Sequence, residues 1–343
     1  ICLYYDSLAR LAGKHFRNDT SCPASVSSYN VFYWYDTAHS STNRSRGQLT
    51  YVSNGQRDRY LTYNDKGLLA QERIGYADGA PYYYTSYGYD TYLRPTTITY
   101  PDNEVVSTGY NSMGLPNALY TSWWGDNPLI DGVSYDEAGR LRTLRLPQGN
   151  TTTSDDIWRS YNYFGWTGAD GNSNGRLHYI GVGASADAYD RMLLDYRYDS
   201  FGNITLHNPN QGVWNSFSYD VQNRLTAGYG LPYAYDSAGR MTSYENIGAT
   251  AFRGHAVRDR YNSQWYYYDA NGNMTSRWTS TGWQNMSWDH ENRLSSVSGA
   301  SLPTESYLYD TDGQRMRKTS NGVNTYYPNQ YYEVSGSTIT KYY

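Results

Sequence analysis

The chain has 343 residues, among them 42 Tyr, 10 Trp and 6 Phe, with 28 Lys+Arg against 32 Asp+Glu and a formal net charge of −4. Leu, Ile, Val and Phe sum to only 51 residues, but so low a net charge argues against disorder, and Tyr and Trp can build a hydrogen-bonded core, so an oily helical bundle is excluded. A pI near 5.9 without a Lys/Arg cluster leaves no electrostatic footprint for nucleic acid, and a mean hydropathy of −0.80 with no long apolar run leaves no candidate membrane span.

Residues 1–10 lack the basic start and apolar stretch of a signal peptide. The chain begins without Met and stops on Lys341-Tyr342-Tyr343, so it reads as a fragment of a longer protein. Cys2 and Cys22 either pair, closing a loop of about 20 residues in an oxidising compartment at a gain on the order of 3 kcal/mol, or stand as two separate thiols. The sequons at Asn18, Asn150 and Asn273 carry meaning only in a eukaryotic secretory host.

Internal repetition organises everything else. Tyr-Asp pairs occur ten times, where 42 Tyr and 25 Asp predict about three by chance. In chain order the copies start at Tyr5, Tyr63, Tyr89, Tyr110, Tyr135, Tyr198, Tyr219, Tyr235, Tyr268, Trp288 and Tyr309. The pattern is set by Tyr135-Asp136-Glu137-Ala138-Gly139-Arg140-Leu141 and repeated by Tyr235-Asp236 with Gly239-Arg240-Met241. Tyr198-Asp199 with Gly202 and Ile204, and Tyr268-Asp269 with Gly272 and Met274, follow it. Tyr309-Asp310 with Gly313 departs by one residue inserted before Met316. Asp at the first turn position can bond its side chain to downstream N–H groups, and Gly or Asn three residues later tolerates the positive φ that closes the turn with a bulge. Before the turn the alternation Phe217-x-Tyr219, Tyr233-x-Tyr235, Tyr266-x-Tyr268 and Tyr307-x-Tyr309 has the period of a strand. Each copy of about 20 residues thus predicts strand, turn, strand, with an apolar residue six positions after the Tyr re-entering the sheet and tyrosines stacking as ladders across strands. Ser185–Leu194 is the one stretch expected to form a short helical turn.

The motif Tyr-Asp-x-x-Gly-Arg-Leu of Tyr135–Leu141, nearly matched at Tyr235–Met241, resembles the YD repeat of the Rhs family: bacterial Rhs and wall-associated toxins, shell subunits of insecticidal toxin complexes, and teneurins. The resemblance covers essentially the whole chain. It implies an all-β fold, an antiparallel β-hairpin ribbon spiralling into part of a hollow shell, with residues 1–343 as one array. The last copies, Tyr309–Lys318 followed by Tyr326-Tyr327, Tyr332-Glu333-Val334 and Thr340–Tyr343, are similar to the family's final repeats before its self-cleaving core segment. No Asp-Pro occurs, so that segment's proteolytic residues are not carried over. The implied function is structural: to wrap a C-terminal effector polypeptide in a secreted or surface-exposed bacterial protein.

No catalytic, cofactor or metal residue is assigned. The six His, at 15, 39, 178, 207, 255 and 290, show no ligand spacing, and no nucleophile elbow or phosphate loop occurs. The seven Glu, including Glu245, form no recognisable acid pair. Two alternatives stay open. Exposed aromatics, with Trp123, Trp124, Trp158, Trp166, Trp265, Trp278, Trp283 and Trp288 as candidates, can make an adhesin or glycan-binding module, and free edges at Tyr4–Asp6 and near Thr338–Tyr343 can drive self-association.

Overall fold

A computed structural model describes residues 1–16, 22, 30–36, 46–125, 127–148, 156–167, 171–210, 212–244, 247–253, 256–260 and 264–343. Asn18, Asn150, His39, His255 and Glu245 lie outside the described residues, as does the side chain of Trp124. The chain divides into two compact units, one of residues 1–103 with 263–343 and the other of residues 104–262.

The first unit opens with β1 (Cys2–Tyr5), β2 (Leu11–His15), β3 (Val31–Tyr35), β4 (Leu49–Ser53), β5 (Arg57–Tyr63), β6 (Leu69–Tyr76), β7 (Tyr83–Tyr89) and β8 (Pro95–Thr99). Each is antiparallel to the next in sequence. The second unit runs from β9 (Val105–Tyr110) to β22 (Ala256–Arg260), and the first resumes from β23 (Gln264–Tyr268) to β31 (Thr338–Lys341). Pairing stays between sequence neighbours, for example β11 (Pro128–Tyr135) with β12 (Leu141–Leu146) and β30 (Tyr332–Ser335) with β31. The fold is therefore all-β, a ribbon of hairpins, because each strand finds its partner a few residues away at low loop-closure cost.

The turn chemistry fixes the register. Tyr5, Tyr63, Tyr135, Tyr198, Tyr219, Tyr235, Tyr268 and Trp288 each sit opposite the residue six positions later, with a register shift just inside the pair. The last copy obeys the same count: Tyr309 faces Arg315. Met316, expected to re-enter opposite the Tyr after an insertion, instead takes the next position on the other face, where it is 1% exposed. No residue is inserted; the sixth position is simply polar there. Ser185–Leu194 is not helical. Ala188 N–H bonds Ser185 C=O, Asp187 takes φ 60°, and Arg191 N–H bonds Val182 C=O, so the ladder between β14 (Leu177–Gly183) and β15 (Met192–Tyr198) prevails over local helix propensity. The helical turn among the described residues is a single 3₁₀ turn at Ser122–Trp124, capped by the Thr121 hydroxyl. Cys2 and Cys22 are joined by a disulfide with their Cα atoms 5.8 Å apart.

The core of the first unit is small. Val31, Tyr33 and Val52 are buried, with Leu11, Phe16, Tyr35 and Leu49 packed against them. Glu72, Arg57, Thr50 and Thr85 are buried alongside Leu61 and Ile74, which is the wet core that the aliphatic deficit implies.

Candidate functional site

The repeat turn is the unit from which everything functional here is built. At Tyr135–Leu141 the Gly139 N–H bonds Asp136 C=O and the Asp136 N–H bonds Arg140 C=O, each at 2.9 Å. The Asp136 Oδ1 accepts the N–H groups of Ala138 and Arg140, while Oδ2 takes Arg140 Nε at 2.7 Å and Nη2 at 2.6 Å. The carboxylate thus satisfies the turn with one oxygen and holds a guanidinium with the other. Gly139 at φ 74° supplies the left-handed residue the turn needs. Asp6/Arg10, Asp90/Arg94, Asp220/Arg224, Asp236/Arg240 and Asp289/Arg293 repeat the arrangement.

The substitutions within the motif are informative. In the turns of Asp199 and Asp269, closed by Gly202 and Gly272, Asn203 and Asn273 replace Arg and donate Nδ2 to the same oxygen at 2.9 Å. That engagement also ties up the amide of the sequon at Asn273. Asn64 and Asn111 replace Asp where Leu68 and Leu115 stand in the Arg position, and each keeps the bond to the downstream N–H groups. Asp310, in the turn closed by Gly313, has Gln314 in that position, and its Oδ2 takes Arg57 Nη1 from a distant strand at 2.6 Å. The Arg140 side chain is the chief cause holding the Asp136 carboxyl below its ordinary value; for Asp236 it is the Arg240 N–H, and for Asp199 and Asp269 the side chains of Asn203 and Asn273.

At nine described positions the aromatic that precedes the turn has a job that phenylalanine could not do. Tyr35, Tyr63, Tyr89, Tyr135, Tyr163, Tyr198, Tyr219 and Tyr309 donate their hydroxyls to the carbonyls of Leu11, Leu49, Leu69, Pro116, Leu141, Leu177, Ile204 and Leu294, at 2.5 to 3.1 Å. Each donor ends its strand, and each acceptor begins the strand before it. Trp288 does the same with Nε1, 2.7 Å from the Met274 carbonyl. The turn arginine then covers the ring of the returning aromatic: Arg10 over Tyr35 at 4.4 Å, Arg140 over Tyr163 at 4.1 Å, Arg224 over Tyr235 at 4.7 Å and Arg293 over Tyr309 at 5.1 Å. Consecutive hairpins are therefore stitched at the turn end by a hydroxyl and a guanidinium, beyond the ring-on-ring ladder that sequence suggested. Tyr163 escaped the sequence reading because Phe164, not Asp, follows it; its position 22 residues after Leu141 was the available signal.

Within the first unit, side chains of β5–β7 meet residues 310–329 from the far end of the chain. Arg57, 7% exposed, reaches Asp310 and the Pro328 carbonyl at 2.8 Å, and Arg59 bridges Glu72 and Asp312. Tyr76 donates to the Met316 carbonyl, and Asp78 takes Arg317 and the Tyr326 hydroxyl. A cavity of about 490 Å³ opens along this seam beside Arg57, Arg59, Glu72, Tyr87, Arg315 and Tyr331. Its charged groups Arg57, Arg59 and Glu72 are already paired. These contacts join residues as many as 271 positions apart, which no short motif encodes.

Elsewhere the chemistry is sparse. Among the described residues no three His, Cys, Asp or Glu are placed to hold a metal ion. His178 has Asn162 at 3.2 Å and Asp195 at 3.5 Å, and burial lowers its pKa. Glu291, Glu305 and Glu333 lie against Lys14, Lys318 and the Tyr342 hydroxyl. Of the tryptophans expected as sugar platforms, Trp123 and Trp166 are exposed, Trp158 lies under Arg145, and Trp278 meets Trp283 edge-on at 5.4 Å. Lys341, at the edge expected to be free, reaches Asp102 at 2.5 Å. No helix among the described residues is long and apolar enough to cross a membrane.

No family model matches the chain. Over 143 residues, 40% of this chain, it is 29% identical to the tRNA nuclease WapA of Bacillus subtilis strain 168 and 30% identical to the tRNA3(Ser)-specific nuclease WapA of Bacillus spizizenii. The matched stretch is 4% of the length of either relative. Among solved structures, the crystal structure of TcdB2-TccC3-TEV superimposes on 98% of this chain with a TM-score of 0.72 at 17% identity, over 20% of its own chain. The Photorhabdus luminescens Tc holotoxin pore with the TccC3 mutation D651A covers 93% with a TM-score of 0.57 at 16% identity, over 18% of its chain. The chain thus spans about a fifth of the solved chains it resembles.

Proposed function

We propose that this chain, a YD-repeat protein with the fold of the Rhs family, forms part of the wall of a shell that encloses an effector polypeptide of a secreted or surface-displayed protein. The observation that carries the proposal is the stitched repeat. At nine described positions a strand-ending aromatic donates to the first carbonyl of the preceding strand. Such a lattice satisfies its own polar groups and so builds a stiff, hydrogen-bonded wall from a sequence too poor in aliphatics for a solid core. The likeness in fold to the TcdB2-TccC3 chains supports the same reading, and the Cys2–Cys22 disulfide supports an oxidising compartment.

The mechanism is confinement. A wall whose polar groups are already paired offers an enclosed chain no packed partner, so the chain is held from folding while proteases are kept out. No catalytic residue is proposed for the wall, and the nuclease activity named for the Bacillus relatives is not brought over to it. The test is protease digestion of the intact polypeptide that carries this chain. Non-repeat sequence should survive while the wall is intact and become susceptible when Arg57→Met opens the seam. Digestion of that sequence at the same rate as when it is expressed alone would overturn the proposal.

A further inference from the structure

One lysine of the first unit is placed unlike the others. Lys14 meets Glu291 at 3.2 Å and Lys318 meets Glu305 at 2.6 Å, with all four side chains between 18% and 30% exposed. Lys341, the last residue of β31, has its Nζ 2.5 Å from Asp102 Oδ2, and these side chains are only 6% and 15% exposed. Asp102 stands in the turn after β8, which the Asn103 N–H closes on the Tyr100 carbonyl at 2.9 Å. Lys341 is held from the other side by its ladder, lying opposite Tyr332 of β30, and the Tyr342 N–H extends that ladder to the Tyr331 carbonyl at 3.0 Å. Backbone hydrogen bonds on both sides thus fix an amine against a carboxyl group from the far part of the chain.

Aromatic rings wall the pair in. The Lys341 Nζ lies 5.8 Å from the Tyr100 ring centroid and 6.0 Å from that of Tyr332. Those two rings are 3% and 2% exposed and stack on each other at 6.0 Å, while Tyr343 meets Tyr100 edge-on at 6.4 Å. Where water is excluded, an ammonium and a carboxylate lose the hydration that keeps them charged and inert, and the uncharged amine and acid come within reach. Lysine can make that change and arginine cannot, because a guanidinium keeps its proton in proteins. The turn pairs such as Asp136 with Arg140 are therefore confined to hydrogen bonding, whereas Lys341 and Asp102 have a covalent reaction open to them.

We propose that Lys341 and Asp102 are a modification site at which the chain joins itself through an intramolecular isopeptide bond between Nζ and Cγ. A proton passes from Nζ to Oδ2, and the freed lone pair of Nζ attacks Cγ. A second Nζ proton then moves to the same oxygen, the C–O bond breaks with its electron pair, and the oxygen departs as water. The nitrogen keeps its third proton as the amide N–H. One positive and one negative charge are cancelled, and no oxidant, reductant or co-reactant is consumed. Fixing the two groups in contact replaces an encounter between free reactants, and the stacked rings keep out the water that would reverse the step. The product ties β31 to the turn after β8 and so closes the first unit covalently, whether or not the wall encloses anything.

The test is intact-mass spectrometry of the folded 343-residue chain after reduction of its disulfide. The mass should fall below that of the sequence by one water molecule, and tandem mass spectrometry of a tryptic digest should find one branched peptide carrying both residue 102 and residue 341. Lys341→Arg keeps a cation at the site but cannot be acylated, and Asp102→Ala removes the acyl group, so each should show the full mass of its sequence. The mass and peptide map of the parent chain decide the matter even where a variant fails to fold. The full sequence mass in the folded parent, a loss of water that persists in either variant, or a loss that maps to another residue, such as a cyclised Asp-Gly, would each overturn the proposal.

Discussion

If the hydroxyls stitch the repeats, then converting a strand-ending tyrosine to phenylalanine should hurt where the hydroxyl donates and nowhere else. Tyr198 donates to the Leu177 carbonyl and Tyr309 to the Leu294 carbonyl, each at 2.8 Å in a partly buried setting. A neutral hydrogen bond of this kind contributes about 0.5–1.5 kcal/mol, and stranding the carbonyl from water adds to the loss, so Tyr198→Phe and Tyr309→Phe should each cost about 1 kcal/mol. Tyr92, which is 79% exposed, supplies the control, and Tyr92→Phe should stay within about 0.5 kcal/mol of the parent. The ties are spread along the chain, so their losses should nearly add, and replacing all eight tyrosines should remove about 8 kcal/mol, comparable with the whole stability of an ordinary domain. Urea unfolding with an unchanged m-value reads the difference. Equal midpoints for Tyr198→Phe, Tyr309→Phe and Tyr92→Phe, or a well-folded eightfold variant, would refute the reasoning.

The same tyrosines set an alkaline limit. Burial raises Tyr35, Tyr63, Tyr89, Tyr135, Tyr163, Tyr198, Tyr219 and Tyr309 above the ordinary value of 10.0. A raised folded pKa gives stability that is complete below about pH 10 and lost as pH climbs through the folded values, because a phenolate cannot donate. Beyond the absorbance of exposed tyrosines such as Tyr92, a further rise in phenolate should therefore accompany loss of the β circular dichroism; ionisation of all 42 tyrosines with the fold intact would count against the ties. The turn aspartates work in the opposite sense. Their lowered pKa values give stability that is present above about pH 4 and lost as pH falls further, and Asp136→Asn should destabilise less than Asp136→Ala, since Asn64 and Asn111 show that an amide can still serve the turn. Gly139→Ala should cost about 1 kcal/mol through its positive φ alone, because nothing lies within 4 Å of the added Cβ, and Gly139→Asn less. Arg57→Met should cost about 3 kcal/mol by leaving Asp310 unpaired in the seam, and Asp310→Asn in the same chain should restore part of it; a loss below 0.5 kcal/mol would mean the seam carries no load.

What the sequence disclosed follows the range of each interaction. The turn is contained in seven residues, from Tyr135 to Leu141, so its Asp, Gly and Arg positions and the strand on either side could be deduced from local chemistry. The hydroxyl tie spans 14 to 24 residues and is visible in the excess of Tyr over Phe, but its acceptor is a backbone carbonyl that leaves no trace in residue identity. Tyr163 falls outside the motif because Phe164 stands where Asp is usual. The seam joins Arg57 to Asp310 across 253 residues and depends on how distant hairpins meet, which no short motif encodes. Its one trace in the sequence is Gln314 in the place of the usual Arg, which leaves the Asp310 oxygen for Arg57.

The most direct measurement is an electron cryomicroscopy reconstruction of the intact polypeptide that contains these repeats. The account predicts a continuous wall of YD hairpins, with the tyrosine hydroxyls at the turn ends against the preceding strand, surrounding density that belongs to non-repeat sequence. A wall with its non-repeat sequence folded outside, or hairpins packed into a solid body with nothing enclosed, would contradict it.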